Sequence, residues 1–562
     1  MSVVVNKAKE EIKNIIISAT NAAIADGTLQ AAELTDFTIE VPANRTHGDY
    51  AINAAMVWSR LFRCAPRQIA EAIIAHTNFE GSYIEKCEIA GPGFINLFLS
   101  QKYYADIVAD VEEKGEDYGK SDYGKGERVL VEFVSANPTG PMHIGNARGG
   151  ALGDCLAAVM AAAGYYTERE FYINDAGNQI NKFGLSLDLR YLQLYKDGIE
   201  MPEDSYHGED IIAHAKAFAE IHGDSFVEKS EQERRKALVE FALPKNIAGL
   251  ESDLLKYRIK YDTWFRESTL HNNGEAARII ELLKESGHTY TQEDALWFKA
   301  TDFGCDKDFV LVRANGVPTY VVPDIAYHYN KLVTRKFDKA IDILGADHHG
   351  YVPRLKAALT ALGVDASRLD VVLMQMVRLV RDGEVIKASK RSGKAITLVT
   401  LLDEVPIDAA RFFFNLREPN SHFDFDLDLA VNESNSNPVY YVQYAYARIC
   451  SILRNLASEG IENKPCDASQ LMLLTAAEEK ELILHIAALT NEIVASAKAY
   501  DPAKITHYVQ ELATKFHKFY SACRVKGEDE NIMQARLNLC FATATVIKNM
   551  LTLMKIDAPE KM

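Results

Sequence analysis

Two short clusters in this 562-residue chain carry the residue types that phosphate chemistry needs. The first is His143-Ile144-Gly145-Asn146, within VEFVSANPTGPMHIGNARGG. It falls where a Val-rich apolar run (128–134) gives way, through Pro138 and Pro141, to a helix-like stretch that stops at Gly164. A strand turning into a helix there points free backbone N–H groups and the positive end of the helix dipole into the crevice at the strand's carboxyl end. An anionic phosphate binds at such a place. Gly145 permits close backbone approach, while His143 and Asn146 offer donors to phosphate oxygens. Read alone, the tetrapeptide is also a capping cluster at a buried helix start. The strand before it and the bracketing prolines favour the phosphate reading. The second cluster is Lys387-Ala388-Ser389-Lys390-Arg391-Ser392-Gly393-Lys394. Residues 371–397 hold six basic side chains (Arg378, Arg381, Lys387, Lys390, Arg391, Lys394) against Asp382 and Glu384, a local positive field in an acidic chain. Lysines on a Gly/Ser loop can close over a polyphosphate and stabilise charge on a leaving pyrophosphate. Taken by itself the octapeptide is equally a solvated basic loop.

Both clusters need a scaffold that holds them at one crevice, and the hydrophobic pattern supplies it. RVLVEFV (128–134), the helix after it and REFYIN (169–174) read as strand, turn, helix, strand, the signature of a parallel βαβ unit. KAIDILG (339–345), a helix over 352–362 and VVLMQMV (371–377) repeat the alternation. The fold class expected is therefore α/β: a Rossmann-type doubly wound parallel sheet as the catalytic domain, over 128–405. A long charged stretch, about 194–300, reads as a helical insertion in it. FVLVRANGVPTYVV and MVRLVRDGEVIKAS read as hairpins, with Asn315-Gly316 and Asp382-Gly383 at their turns. Ahead of the sheet, 1–112 reads as an N-terminal α+β domain, with helices over 7–24 and 50–61 and a strand pair ending in GPGFINLFLS. Residues 113–127, charged and Gly-dotted, read as a linker. From about 406 strands give out, and Val509, Leu512, Phe516, Phe519 and Cys523 at helical spacing predict a C-terminal all-α bundle to 562.

Composition narrows the function classes. With 48% apolar and 25% charged residues the chain is ordinary for folded protein, which sets disorder aside. No 18 consecutive apolar residues occur, and the first thirty lack the ordered regions of a signal peptide, so a cytoplasmic protein without a membrane span is expected. Eight scattered cysteines with no C-x-x-C pair fit reduced thiols rather than disulfides or a zinc site. The net charge of −17 lies wholly in the first 440 residues, because 441–562 hold 14 basic and 14 acidic side chains. A nucleic-acid partner must use local patches.

Together the clusters resemble the HIGH and KMSKS signatures of class I aminoacyl-tRNA synthetases. More of the chain is similar to one family within that class, the arginyl-tRNA synthetases. The segments that carry the resemblance are GPGFINLFLS, EFVSANPTGPMHIGNARGG, FYINDAGNQI, YHGEDI, GVPTYVVPDIAYH, LGADHHGYV, KASKRSGKAITL, DAARFFF, ELATKFHKFYSACRV and the terminal APEKM. They run in order from about residue 40 to the end. Asn146 stands for the second His of HIGH and Ala388 for the Met of KMSKS. Asn still donates to phosphate or ribose, and Ala388 loses only packing.

The resemblance implies an arginine-tRNA ligase that activates arginine with ATP and transfers it to the terminal adenosine of tRNA(Arg). It assigns catalysis to His143, Gly145, Asn146, Lys387, Ser389 and Lys390, and ATP to Pro141 together with His143, Gly145, Asn146, Lys387 and Lys390. Magnesium is expected on the ATP phosphates, with no metal ligated by the protein; His348-His349 lack a third ligand nearby. Arginine falls to Glu132, Asn137, Tyr320, Asp324 and His348. Paired carboxylates read a planar guanidinium bidentately, and an acceptor left unpaired by a wrong substrate costs roughly 1–3 kcal/mol, which discriminates without editing. Judged singly, Glu132 and Asp324 are also ordinary salt-bridged carboxylates. The tRNA falls to Phe94 and Asn96 at its D-loop corner and to Arg448, Tyr520 and Met562 at the anticodon. Tyr520 at helical spacing and Phe94 in a strand also read as core residues. No membrane or DNA partner is implied, and the family resemblance implies a monomer. A nucleotidyltransferase of the same superfamily and a catalytically silent tRNA-binding paralogue are the rival functions; the long helical C-terminal part opposes the first, and the retained motif residues oppose the second.

Overall fold

The computed structural model describes residues 3–42, 44–386 and 396–562. At its centre lie five parallel strands: β1 (Arg128–Glu132), β2 (Tyr166–Ile173), β3 (Thr263–Arg266), β4 (Lys339–Gly345) and β5 (Leu369–Met374). Their order across the sheet is β5-β4-β1-β2-β3, so the winding reverses between β1 and β4. Ligand crevices of doubly wound sheets open at that reversal, beyond the strands' carboxyl ends. Val129, Leu130 and Val131 are buried without alternation, as a strand covered on both faces requires. After β1 comes helix α1 (Ile144–Ala162). Small residues let it lie close to the sheet: a Cβ on Gly153 would stand 2.2 Å from the Phe133 ring, and one on Gly150 2.8 Å from Ile259.

The expected insertion is only partly helical. Helices Glu209–His222 and Glu231–Lys256 fill its first half, the second opened by a reciprocal cap between Ser230 and Glu233. Thr263–Arg266 then joins the central sheet as β3, and Thr289–Gln292 and Ala295–Phe298 pair with Phe309–Val312 in a small antiparallel sheet. The Asn315-Gly316 turn forms, with Gly316 at φ 80°, but its return arm ends at Thr319, which donates to Leu311. Helix α2 (Val321–Tyr329) starts at once and runs into a π-helical turn at Asn330–Thr334. The Asp382-Gly383 hairpin pairs as expected. Strands do not give out at 406: Phe423–Asp426 pairs in parallel with Val377–Arg381, its Phe423 and Phe425 buried.

In the N-terminal unit, the helix expected over 50–61 is a strand, Tyr50–Ile52, followed by two single helical turns, Ala54–Val57 and Ser59–Phe62. Tyr50 and Ile52 face the core, and Tyr50 pairs with Leu97. The GPGFINLFLS hairpin forms between Ile84–Ala90 and Phe94–Leu99. The segment 113–127 is anchored rather than loose: Tyr118 is buried, its hydroxyl donating to the Ile486 carbonyl, and Asn549 donates to the Gly115 carbonyl. From α3 (Ile407–Phe414) the chain builds a bundle of α4 (Pro438–Ser458), α5 (Ala477–Ala499), α6 (Ala503–Ala522) and α7 (Glu530–Leu553). Val509, Leu512, Phe516 and Phe519 are fully buried on α6. Helix α5 is long and apolar enough to cross a membrane, but Leu482, Ile483, Ile486, Leu489 and Ile493 are spent in the bundle core. All eight cysteines are free thiols.

Candidate active site

The start of α1 is built from the first cluster. The His143 Nδ1 accepts from the Gly145 N–H at 3.0 Å, and the Asn146 side chain accepts from the His143 N–H at 3.2 Å, a reciprocal capping box. With Nδ1 an acceptor, the neutral imidazole carries its proton on Nε2, which makes that atom a donor. Gly145 is required here, since a Cβ would stand 2.8 Å from the His143 ring. Pro141 is exposed just ahead. The capping reading of the tetrapeptide is thus realised in the structure. The second cluster's Lys387, Ser389 and Lys390 lie outside the described residues. Its flank is tied to the first cluster: Ile144 N–H donates to the Ile396 carbonyl, and Thr397 bridges His143.

Beyond β1 the backbone is strained, with Val134 at φ 69° and Ser135 at φ 39°. A β-branched residue there is an outlier of the sort concentrated at functional sites. The turn places Ser135 to donate to Glu132 at 2.8 Å and to accept from the Tyr172 N–H at 3.1 Å. Strand register then sets three acids side by side across the sheet: Glu132 pairs with Glu170 on β2 and with Asp342 on β4. All three are buried. Glu170 is held by Arg335 and by the Tyr327 hydroxyl at 2.7 Å. The buried Lys331 ammonium lies between the other two, 2.5 Å from Glu132 and 2.8 Å from Asp342. His328 continues the chain, with Nε2 2.6 Å from Asp342 and Nδ1 3.3 Å from Asp324.

Glu132 and Asp324 therefore belong to one network, linked through Lys331, Asp342 and His328, though Glu132 already has a cation of its own. Burial would lower the His328 pKa, but the carboxylates of Asp342 and Asp324 together outweigh it and raise it to about 10. Burial would likewise raise Asp324 and Asp342; the charge and hydrogen bond of His328 together with the Tyr351 hydroxyl on the first, and Lys331 and His328 on the second, reverse the direction and keep both ionised. Glu132, His328 and Asp342 form the sole three-donor cluster among the described residues, and the Lys331 ammonium already bonds two of its carboxylates. A protein-held divalent cation does not fit there.

Sequence reasoning missed Glu267, Tyr172, His328, Lys331 and Asp342. Burial, and then the Glu267 and Asp324 charges, raise the Tyr172 hydroxyl far above its usual pKa, with Glu132 adding to them. The available signal was Asp324, His328 and Lys331 at i, i+4 and i+7, one face of a helix. Tyr320 is 72% exposed beside Tyr351 on a cleft of about 200 Å³. Asn137 is exposed on the loop after β1, and His348 is half-exposed on the turn after β4, 3.9 Å from Asp347.

The remaining candidates lie away from this crevice. Phe94 is half-buried and Asn96 buried on one strand of the N-terminal sheet. In the bundle, the Arg448 guanidinium lies 4.6 Å from the centre of the half-buried Tyr520 ring, and the final Met562 is 51% exposed.

Comparison with known proteins agrees with this layout. Family models match along the chain: the arginyl tRNA synthetase N-terminal domain at 6–99, the catalytic domain of class I (R) tRNA synthetases at 108–434 and the DALR anticodon binding domain at 442–562. The arginine-tRNA ligase of Caldanaerobacter subterraneus subsp. tengcongensis is 54% identical over 562 residues, covering all of both chains. That of Bacillus subtilis is 46% identical, covering 99% of this chain and 98% of its own. The solved arginyl-tRNA synthetase of Thermus thermophilus superposes with a TM-score of 0.73 over 98% of this chain and all of its own, at 20% identity, a likeness of fold. A parallel sheet with a capped helix start at its winding reversal, carried between these two flanking domains, completes the case: the chain belongs to the arginyl-tRNA synthetase family.

Proposed function

We propose that the crevice at the carboxyl ends of β1 and β4 is where this arginine-tRNA ligase makes arginyl-adenylate and passes the arginyl group to tRNA(Arg). The observation that carries the reading is the buried network that runs from Glu132, at the end of the strand from which the chain leads to the helix start built by His143 and Asn146, through Lys331, Asp342 and His328 to the part-exposed Asp324. Asp324 is the network member most open to solvent, its side chain 31% exposed. It is ionised at neutral pH and takes the guanidinium, while Tyr320 and Tyr351 wall the cleft.

In the first step an oxygen of the arginine carboxylate attacks the α-phosphorus of ATP. A P–O bond forms, the bond to the β-phosphate oxygen breaks, and pyrophosphate leaves. In the second a ribose hydroxyl of the terminal adenosine attacks the carbonyl carbon, its proton is lost, and AMP departs with the electron pair. No protein nucleophile is needed; positioning and charge stabilisation carry the rate. The N–H groups of α1, the Nε2 of His143 and Asn146 face the phosphates, with Lys387, Ser389 and Lys390 contributed by the sequence's second cluster, whose following flank is fastened to His143. Magnesium enters with ATP on its phosphates. Asn137 and His348 serve the amino acid and adenosine, Phe94 and Asn96 the tRNA corner, and Arg448, Tyr520 and Met562 the anticodon. The working form is a cytoplasmic monomer, its three units already packed on one another within the chain.

Amino-acid-dependent ATP-pyrophosphate exchange, with and without tRNA, tests the reading. Exchange driven by arginine in the presence of tRNA is the expected result. Exchange driven by another amino acid would contradict the assigned specificity, and none under any condition would leave a silent tRNA-binding paralogue.

A further inference from the structure

The row of three acids across β2, β1 and β4 poses an electrostatic problem that the fold solves with its own cations. Glu132 and Asp342 are register partners on adjacent strands, side chains 9% and 3% exposed. Two like charges so placed cannot both stay ionised without a counter-charge. Lys331 supplies it, wholly buried, with its ammonium also 4.1 Å from the centre of the Tyr327 ring. The π-helical turn at Asn330–Thr334, a local departure typical of functional positions, carries it there. The charged groups facing Lys331 are Glu132 on β1, Asp342 on β4 and Glu170 on β2, with His328 beyond Asp342 on α2.

Counted as ions, Glu132, Asp342 and Asp324 against Lys331 and His328 give 2 − 3 = −1. Exposure places that remaining charge: Asp324 is 31% exposed, while the other four side chains are 9% exposed or less. The inner acceptors are already engaged by an ammonium, so an incoming cation meets Asp324. We infer that Lys331 is a specificity-determining positioning residue, which closes the inner acceptors to a substrate ammonium and leaves one unit of negative charge at Asp324 for a forked cation. A compact ammonium on a flexible stem, as in lysine or ornithine, would otherwise find Glu132 and Asp342 the better-buried partners. This rests on the crevice being the arginine seat, and it adds a device that rejects the neighbouring cationic amino acids.

The test is pyrophosphate exchange with total tRNA present, using arginine and ornithine as separate substrates. The proteins are the unmodified chain, Lys331→Met and Lys331→Met/Asp342→Asn. The double variant restores the net charge of −1. For Lys331→Met the KM for arginine is expected to rise about 10-fold or more, that for ATP to change less than about 2-fold, and the preference for arginine over ornithine in kcat/KM to fall about 10-fold or more. The double variant regains most of that preference. A single variant that loses kcat with both KM values unchanged, a double variant no better than the single, or failure of both to fold would overturn the proposal. Absence of arginine-driven exchange in the unmodified chain would instead overturn the reading of the crevice.

Discussion

His328 would lose its proton on burial were it not for the carboxylates around it, Asp342 at 2.6 Å and Asp324 at 3.3 Å, which raise its pKa to about 10. Because the folded value lies above the ordinary imidazole value of 6.5, the stabilisation is fully present below pH 6.5 and is lost as pH rises through about 10. The urea midpoint of the unmodified chain is therefore expected to fall across that window. His328→Gln, which cannot titrate, should flatten the fall. Much at this scale was legible in the sequence: His143, Gly145 and Asn146 stand at the strand-to-helix turn as their types suggested, and Asp324 at the start of its helix. The cations behind the acids were not. Asp342 sits in an apolar run, KAIDILG, and Lys331 has the look of a surface lysine; only strand register and the π turn make them neighbours.

At the level of elements, the distance between α1 and the sheet is set by residues with no side chain. A methyl on Gly153 would sit 2.2 Å from the Phe133 ring, itself fully buried, so neither partner can give way cheaply. Gly153→Ala is expected to cost about 1–3 kcal/mol in denaturant unfolding, an overpacking penalty. The βαβ units were readable because continuous Val and Leu runs alternate with helix-length stretches. The strands Thr263–Arg266 and Phe423–Asp426 were not, being four residues each, the first inside a charged helical stretch and the second alternating Phe with Asp. Tyr50–Ile52 reads as helix by its neighbours and becomes a strand because Leu97, Asn96 and Ile95 offer it a pairing edge. Propensity is a weak prior against such tertiary pairing.

Across the whole molecule, one buried carboxylate joins the catalytic unit to the bundle. Asp154 on α1 meets Arg411 of α3 at 2.5 Å, Lys555 after α7 at 2.8 Å and Arg169 of β2 at 2.9 Å. Arg411 also donates to the Met554 and Tyr257 carbonyls. The helix that bears His143 is thus fixed to the far end of the chain. Asp154→Asn leaves the fully buried Arg411 uncompensated and is expected to cost about 3–5 kcal/mol, read from global unfolding. Separation in sequence, more than 250 residues between 154 and 411, hid this junction. Arginine selection at this crevice depends on acids that read a guanidinium, and Asp324→Asn addresses that most directly, by steady-state exchange kinetics with arginine and ATP varied in turn. The arginine KM should rise by roughly 30-fold or more, the loss of a charge-assisted hydrogen-bonded pair, with the ATP KM within about 3-fold of its starting value. Equal rises in both would contradict it.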